Sequence, residues 1–419
     1  MAGKEIFRGF LVNEETSGGT SSLGRRLLEV ARGFLPLGWV AFGGPQAHIA
    51  LLQDHFVFRR QWLDEQRFAE LLGMGQGLPG PTSTQMVVAV GTVRAGPLGG
   101  MLAFLCFVFP AATVMALAGL GAVHFFDGAE RPLWLELGVL PATVALVAVA
   151  AWRLGRTVIN SRTTMALMLF GAVAAILWSR PWVFPAVLVL GGLTTLWTLR
   201  KDPSPAQDSS PDAHLSNLGI PWPVGVLLLL VFFGTLMGLI LARLMLDWAP
   251  LELFESFYRM GSLIFGGGQV VLPMMLTEVV ETGLVTEQQF LEGFALMLAL
   301  PGPLFSFSAY LGAVSGGILG ALIAFLGMFL PGILIIFAVL PLWAKARRHA
   351  VIGRLLTGVN ATAIGLVVAA VFLLWERAVS SPQAAAIALL AFGSVAFFRA
   401  PAPLVILGSG VLGWGFSLL

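Results

Sequence analysis

Charge is what this chain has least of. Asp, Glu, Lys and Arg make up 11% of its 419 residues, where a soluble domain carries about 25%. A water-soluble globular protein is excluded for the chain as a whole. Cysteine is nearly absent, and Cys106 stands alone in an apolar run. That leaves no disulfide framework, no CxxC redox pair and no cluster of metal ligands. No Gly-x-Ser-x-Gly elbow, Walker loop or His-Glu-x-x-His site occurs. A membrane enzyme or an ATP-driven pump therefore has no motif to support it, and neither cofactor nor metal is expected. The apolar runs do not alternate as β-barrel strands do. The net charge of +2 does not point to nucleic acid, because the basic residues lie in loops between apolar runs and set membrane orientation instead.

What the chain does have is apolar length. It is 57% hydrophobic, with a mean hydropathy of +0.88 and 50 glycines, as expected where helices pack closely or break in lipid. The fold class expected is an all-α polytopic membrane protein. Full-length spans read at about 98–122, 132–152, 163–180, 182–199, 222–243, 318–342, 355–375, 383–399 and 402–418, each near the roughly 20 residues a crossing needs. Residues 1–24 are polar and of mixed charge, and read as a cytoplasmic tail rather than a cleaved signal peptide. Residues 200–221, with Pro203, Pro205 and Pro211, have the composition of a linker.

The chain also says the same thing twice. Gly-Trp-Val-Ala-Phe-Gly-Gly-Pro-Gln at 38–46 returns as Gly-Ser-Leu-Ile-Phe-Gly-Gly-Gly-Gln at 261–269, an offset of 223. Pro79-Gly80-Pro81 returns as Pro301-Gly302-Pro303 at an offset of 222, and Pro110 as Pro331 at 221. Such drift marks a duplicated domain. Duplication with matching Gly/Pro breaks in an apolar chain points to a transporter whose site lies between the halves.

Four apolar segments, 33–52, 68–95, 257–275 and 290–315, carry these breaks inside them. Proline removes a helical hydrogen bond and glycine permits non-helical backbone. The segments read as kinked spanning helices or as paired half-helices that re-enter, and charge favours the second. Lys and Arg mark the cytoplasmic side. Loops 24–32 and 53–70 carry three each (Arg25, Arg26, Arg32; Arg59, Arg60, Arg67), and their counterparts at 247–255 and 276–293 carry none. Loop 123–131 carries only Arg131, against Lys345, Arg347, Arg348 and Arg354 at 344–354. Loop 153–162 carries Arg153, Arg156 and Arg162, against Arg377 alone at 376–382. All four pairs flip, so the expectation is two inverted-topology repeats with broken, re-entrant helices. Arginines on both flanks of 33–52 return that segment to its own side. Span 222–243, without a counterpart, turns the second copy over. The domains expected are 1–24 tail, 25–199 first repeat, 200–221 linker, 222–243 extra helix and 244–419 second repeat.

Inverted repeats place a site near the midplane, and half-helix N-termini there favour anions. Thr82-Ser83-Thr84-Gln85 follows the first Pro-Gly-Pro; Ser306 and Ser308 follow the second. The substrate-binding set expected is Gly43, Gly44, Pro45, Gln46, Pro79, Gly80, Pro81, Thr82, Ser83, Thr84, Gln85, Gly266, Gly267, Gly268, Gln269, Pro301, Gly302, Pro303 and Ser306. Taken singly, each Ser or Thr is equally well a helix cap. Ionisable groups in apolar segments are functional candidates. His48, Glu70 and its match Glu292 are candidates for carrying a proton, and Arg94 for steering anions; His48 reads as readily as a packed histidine, Glu70 and Glu292 as helix-start acids, and Arg94 as an interfacial anchor.

Phe42-Gly43-Gly44-Pro45-Gln46, then Arg59-Arg60-Gln61-Trp62-Leu63, then Gly77-Leu78-Pro79-Gly80-Pro81-Thr82-Ser83 resembles the chromate ion transporter family. Phe265-Gly266-Gly267-Gly268-Gln269 and Leu300-Pro301-Gly302-Pro303 resemble the other half of its long, two-domain form. Gly268 stands where the first repeat has Pro45. The resemblance implies a multi-pass inner-membrane protein that exports chromate and confers chromate resistance, coupled to the membrane potential or a proton gradient, with sulfate as a related substrate. An oxyanion channel, or a sulfate transporter without a chromate role, is the alternative. The partners expected are a chromate- or sulfate-type oxyanion and the lipid bilayer, with no nucleic acid and with a homodimer left open.

Overall fold

A computed structural model of the chain describes residues 22–42, 44–125, 132–178, 183–199, 220–264, 272–342, 350–416 and 418. Among them every regular element is helical. The tail, most of the linker, and Gly43, Gly266, Gly267, Gly268 and Gln269 lie outside the described residues.

The described residues form fifteen α-helices: α1 (Leu23–Gly38), α2 (Gly44–Gln53), α3 (Glu65–Gly77), α4 (Thr82–Phe125), α5 (Leu140–Val158), α6 (Arg162–Leu177), α7 (Val183–Thr198), α8 (Trp222–Met245), α9 (Ala249–Ser262), α10 (Leu272–Val280), α11 (Glu287–Ala299), α12 (Phe307–Val339), α13 (Ala350–Ala378), α14 (Pro382–Ala396) and α15 (Ala402–Phe416). Among the described residues five stretches are long and apolar enough to cross a bilayer: Thr82–Ala122, Leu135–Val158, Trp222–Met245, Leu304–Val339 and Gly353–Ala378. The chain is a multi-pass membrane protein. Four spans read from the sequence come out shorter. Helices α6, α7, α14 and α15 have 15 or 16 residues, roughly 24 Å at 1.5 Å per residue against a hydrocarbon core of about 30 Å. Ser161 and Ser381 cap α6 and α14, and Pro181 and Pro401 lie just beyond their far ends, so these helices are bounded at both ends.

The broken segments form helical hairpins. Asp64 accepts from the Arg67 N–H to start α3, and Thr286 with Gln289 forms a capping box at α11. Leu78 after α3 and Leu300 after α11 are both extended. Gly80 and Gly302 follow with φ of 121° and 122°, which side chains other than hydrogen rarely adopt. The chain then returns as the first arms of α4 and α12. Gly75 beside Thr82, and Gly293 beside Tyr310, show the arms of each hairpin side by side. Each returning arm turns again, at Ala95-Gly96 and at Gly316-Gly317. Beyond that turn it packs on itself, with Gly91 on the Gly99 carbonyl and Gly312 on that of Gly320. Helices α1 and α2 form a hairpin too. The Phe34 and Phe56 rings stack at 4.4 Å, and Phe56 lies 4.7 Å from Trp62.

The halves interlock reciprocally. The long outgoing arms of α4 and α12 run antiparallel: Gly100 meets Phe337, and the Phe104 ring lies 5.5 Å from that of Phe329. The turns at Gly96 and Gly317 therefore sit at opposite ends of this pair. Helix α5 and the π-helical turn before it pack on α14 and α15, while α13 packs on α6 and α7. Gly138 against the Ser409 carbonyl and Gly358 against that of Gly191 are the matching close approaches. Helix α8 lies outside this exchange, on α9 and α12. Its outer face, including Leu227, Leu230, Phe233 and Met237, is exposed, as suits a lipid-facing helix.

Candidate functional site

The two Pro-Gly-Pro tips lie against the middle of the opposite long arm. Pro81 and Gly80 contact Gly332 of α12, and Gly302 contacts Ala111 of α4. Ala111 and Gly332 are themselves matched, at an offset of 221. Two backbone hydrogen bonds clamp the tips across the halves. The Gly80 N–H donates to the Ile264 carbonyl at 2.8 Å, and the Gly302 N–H donates to the Ala41 carbonyl at 2.8 Å. Ala41 and Ile264 are equivalent, each two residues before its Gly-rich break. Each half thus anchors its Pro-Gly-Pro tip on a carbonyl two residues before the other half's Gly-rich break.

After each tip comes a helix start. Thr84 and Ser306 occupy equivalent positions, 222 residues apart. Both are buried, and neither hydroxyl has a hydrogen-bond partner. A buried hydroxyl is normally paired; two unpaired ones at matched positions leave two donors free for a ligand. The first N–H groups of a helix also lack intrahelical partners and carry partial positive charge. The stretches 38–46, 79–85, 261–269 and 301–306 contain no acid. Free donors with no acid beside them are suited to an anion.

The neighbours of Thr84 are committed elsewhere. Thr82 donates to the Gly75 carbonyl at 3.3 Å, and Ser308 to that of Phe305 at 2.8 Å. Gln85 donates to the Pro79 carbonyl at 2.8 Å. Its buried Oε1 has no partner, an acceptor suited to water or to the O–H of a protonated oxyanion. Ser83 and Pro303 are buried, and Pro79 and Pro301 half-buried, at the same tips. Gly44 has a φ of 77° and opens α2; Pro45 and Gln46 fall in its first turn.

His48 joins this set. Its Nε2 lies 2.9 Å from the Ala41 carbonyl, the acceptor that also holds Gly302. A carbonyl only accepts, so Nε2 carries the hydrogen, and the buried Nδ1 has no partner. The Phe107 ring meets the imidazole edge-on at 5.6 Å.

Three sequence-read residues stand apart from the tips. Glu70 on α3 and Glu292 on α11 each lie seven residues from the helix end that meets the tip, about two turns. Glu292 accepts from Gln288 at 2.8 Å. It lines an otherwise apolar cavity of about 480 Å³ with Trp134 and Trp414. Arg94 sits beside the Gly96 turn, paired with Glu29 and 5.3 Å over the Trp62 ring. It anchors α1 to α4 at the hairpin base.

The sequence reading missed an ion network in the second half. Arg243, Glu252, Glu255, Arg259 and Glu278 are joined across α8, α9 and α10. Two signals were available: Glu255 and Arg259 at helical i,i+4 spacing, and Glu278 alone in an apolar helix.

The sequence profile described as "Chromate transporter" matches residues 28–196 and 251–414, so both halves carry the pattern. A "Chromate transport protein" of Pseudomonas aeruginosa is 31% identical over 91% of this chain and 90% of its own length. A "Probable chromate transport protein" of Synechococcus elongatus is 28% identical over 92% and 95%. The "Chromate transport protein" of Cupriavidus metallidurans is 25% identical over 91% and 90%. No solved structure matches the chain. A duplicated membrane protein with matched broken helices, matched in both halves by that profile and by relatives along nearly its whole length, belongs to the chromate transporter family.

Proposed function

We propose that this protein is a secondary transporter that carries chromate out of the cytoplasm across the inner membrane and so confers chromate resistance. The observation that carries this is the pair of matched, buried hydroxyls, Thr84 and Ser306, left without partners at the two clamped tips. A tetrahedral oxyanion accepts from both hydroxyls and from the adjoining helix N-termini. Sulfate, of the same shape and charge, competes for the site.

The two halves are inverted repeats, the hairpins re-enter the membrane, and α8 reverses the second copy. The antiparallel long arms and the flipped arginine pattern support this reading. The Arg-rich hairpin base, with Arg25, Arg32, Arg59 and Arg60, faces the cytoplasm and draws anions inward to the tips. The burial of Thr84, Gln85 and Ser306 supports an occluded carrier over an open channel. The relatives' names and the absence of an enzyme motif in the sequence support transport over catalysis.

Everted inner-membrane vesicles containing the protein should take up chromate saturably. Excess sulfate should reduce that uptake at least about tenfold, as mass action requires of a competitor far above its Kd, and an uncoupler should abolish it. Uptake no greater than in vesicles without the protein, with verified folded protein, overturns the chromate reading.

A further inference from the structure

The cavity beside α11 is walled by three elements: α11 itself, the π-helical turn before α5 (Leu135–Val139), and α15. Its volume of about 480 Å³ falls inside the range of roughly 300–1,000 Å³ that holds small molecules. Leu296, Ala299, Ile406 and Leu407 line it with carbon, and Glu292 is the one charged residue in the lining. Among the described residues no Lys or Arg pairs with this carboxylate, whose hydrogen bond comes from Gln288.

The first half shows what is missing. Gly138 packs on the Ser409 carbonyl as Gly358 packs on that of Gly191, and Gly410 meets Val139 as Gly192 meets Val359. That register makes Trp134 equivalent to Arg354, each four residues before its glycine, and Trp414 equivalent to Leu196. Glu292 matches Glu70. The first half therefore has an acid and a guanidinium at two positions where the second has an acid and an indole, and a second indole replaces a leucine. A carboxylate among apolar groups is costly without a cation. An indole is the best ring partner a cation can have.

The cavity also opens where lipid lies. Leu407, Val411 and Trp414, on the outer face of the apolar helix α15, are exposed, as is Trp134. Glu292 is the sixth residue of α11, which Thr286 caps at an exposed end. It stands about 9 Å along the helix from that cap. The polar loop of Glu281, Thr282 and Gly283 before the cap is exposed too, and exposed irregular backbone belongs at the headgroup layer rather than in hydrocarbon. The carboxylate is thus within reach of a headgroup, and the apolar lining lies beside it.

We propose that this cavity binds a membrane lipid whose headgroup carries a primary ammonium. The ammonium pairs with Glu292 beside the two indoles, and an acyl chain lies along Leu296, Ile406 and Leu407. The lipid then supplies the cation that the first half has as Arg354. A lipid fits better than a soluble amine, because the cavity opens on an exposed apolar face and offers only carbon to the rest of its occupant. Helix α11 leads into the second tip, so the bound lipid steadies that hairpin against α15.

The test titrates the full-length protein in detergent with phosphatidylethanolamine and, separately, with phosphatidylglycerol of the same chains, and reads bound lipid by native mass spectrometry. Wild type should hold phosphatidylethanolamine at least about tenfold more tightly, the scale of one charge-assisted contact. Glu292→Gln should abolish that preference. Trp414→Leu keeps an apolar wall and should weaken phosphatidylethanolamine binding roughly two- to thirtyfold, with phosphatidylglycerol binding unchanged. Glu70→Gln, the matched change in the first half, should keep the preference. Equal binding of the two lipids by wild type overturns the proposal, as does a preference undiminished in both Glu292→Gln and Trp414→Leu. Loss of the preference in Glu70→Gln also overturns it, because the effect is then not local to this cavity. Displacement of phosphatidylethanolamine by millimolar glycerophosphoethanolamine, the same headgroup without chains, overturns the lipid assignment in favour of a soluble amine.

Discussion

Leucine in place of Gly80 will abolish chromate transport while leaving the protein in the membrane. Two physical terms act together. Gly80 has a φ of 121°, a region in which an L-side chain costs on the order of 1–3 kcal/mol. A Cβ there would also lie 2.7 Å from Gln85 Nε2 and 2.9 Å from the Gly332 Cα. Backbone at Gly332 cannot yield as a flexible side chain would, so the tip must withdraw from α12. Withdrawal breaks the Gly80–Ile264 hydrogen bond and shifts the helix start that carries Thr84. A displacement of about 1 Å at a binding constellation costs roughly a hundredfold. Gly302→Leu will behave alike, since a Cβ there falls 2.3 Å from that of Ala111. Gly238 is the control. It lies inside α8 with open space around a Cβ, and alanine is the better helix former, so Gly238→Ala should transport within about twofold of wild type. Uptake assays on matched membrane levels decide it; wild-type transport by Gly80→Leu would remove the tips from the site.

The second large effect concerns affinity without stability. Thr84→Val and Ser306→Ala each delete a buried hydroxyl that has no partner in the protein. If these hydroxyls serve only packing, their loss is neutral or mildly stabilising, because an unsatisfied buried polar group carries a penalty of about 1–3 kcal/mol. If they hold a dianion, each contributes a hydrogen bond to a charged acceptor, about 1.5–3 kcal/mol. The expected outcome is roughly a tenfold to hundredfold loss of chromate affinity per substitution. The melting temperature should be unchanged or raised. Calorimetric titration and thermal unfolding of the same preparations separate the two readings; unchanged affinity in the double variant would mean that these hydroxyls are not ligands.

The sequence exposed the parts of this fold that depend on local backbone chemistry. Gly80 and Gly302 are needed because their φ values exclude most side chains, and so the duplication is visible in those letters. The Pro-Gly-Pro breaks and the caps at Thr286 and Ser381 are local in the same way. What stayed hidden depends on distant partners. The carbonyls of Ala41 and Ile264, which clamp the tips, are backbone groups that any residue supplies. The unpaired state of Thr84 and Ser306 depends on what their neighbours do; Thr82 and Ser308, equally polar in sequence, are satisfied by local carbonyls. Arg94 reads as an anion-steering cation until Glu29, 65 positions away, is seen to pair with it. The second-half ion network draws on three helices, and only folding shows that three acids share two guanidinium groups. The exchange of α5 and α13 between halves leaves no local mark, because it is carried by glycines that look like any others in an apolar chain.

The most direct measurement is of where the anion sits and from which side it arrives. In a Cys106→Ala background, cysteine replaces Thr84 in one variant and Ser306 in another. Each is treated with a membrane-impermeant thiol reagent in everted and in right-side-out vesicles, with and without chromate. If the tips form one alternately exposed site, both cysteines are labelled and chromate slows labelling of each at least about tenfold, as occupancy near saturation requires. Labelling of both positions at rates indifferent to chromate, in vesicles that still transport it, would place the substrate elsewhere in the molecule.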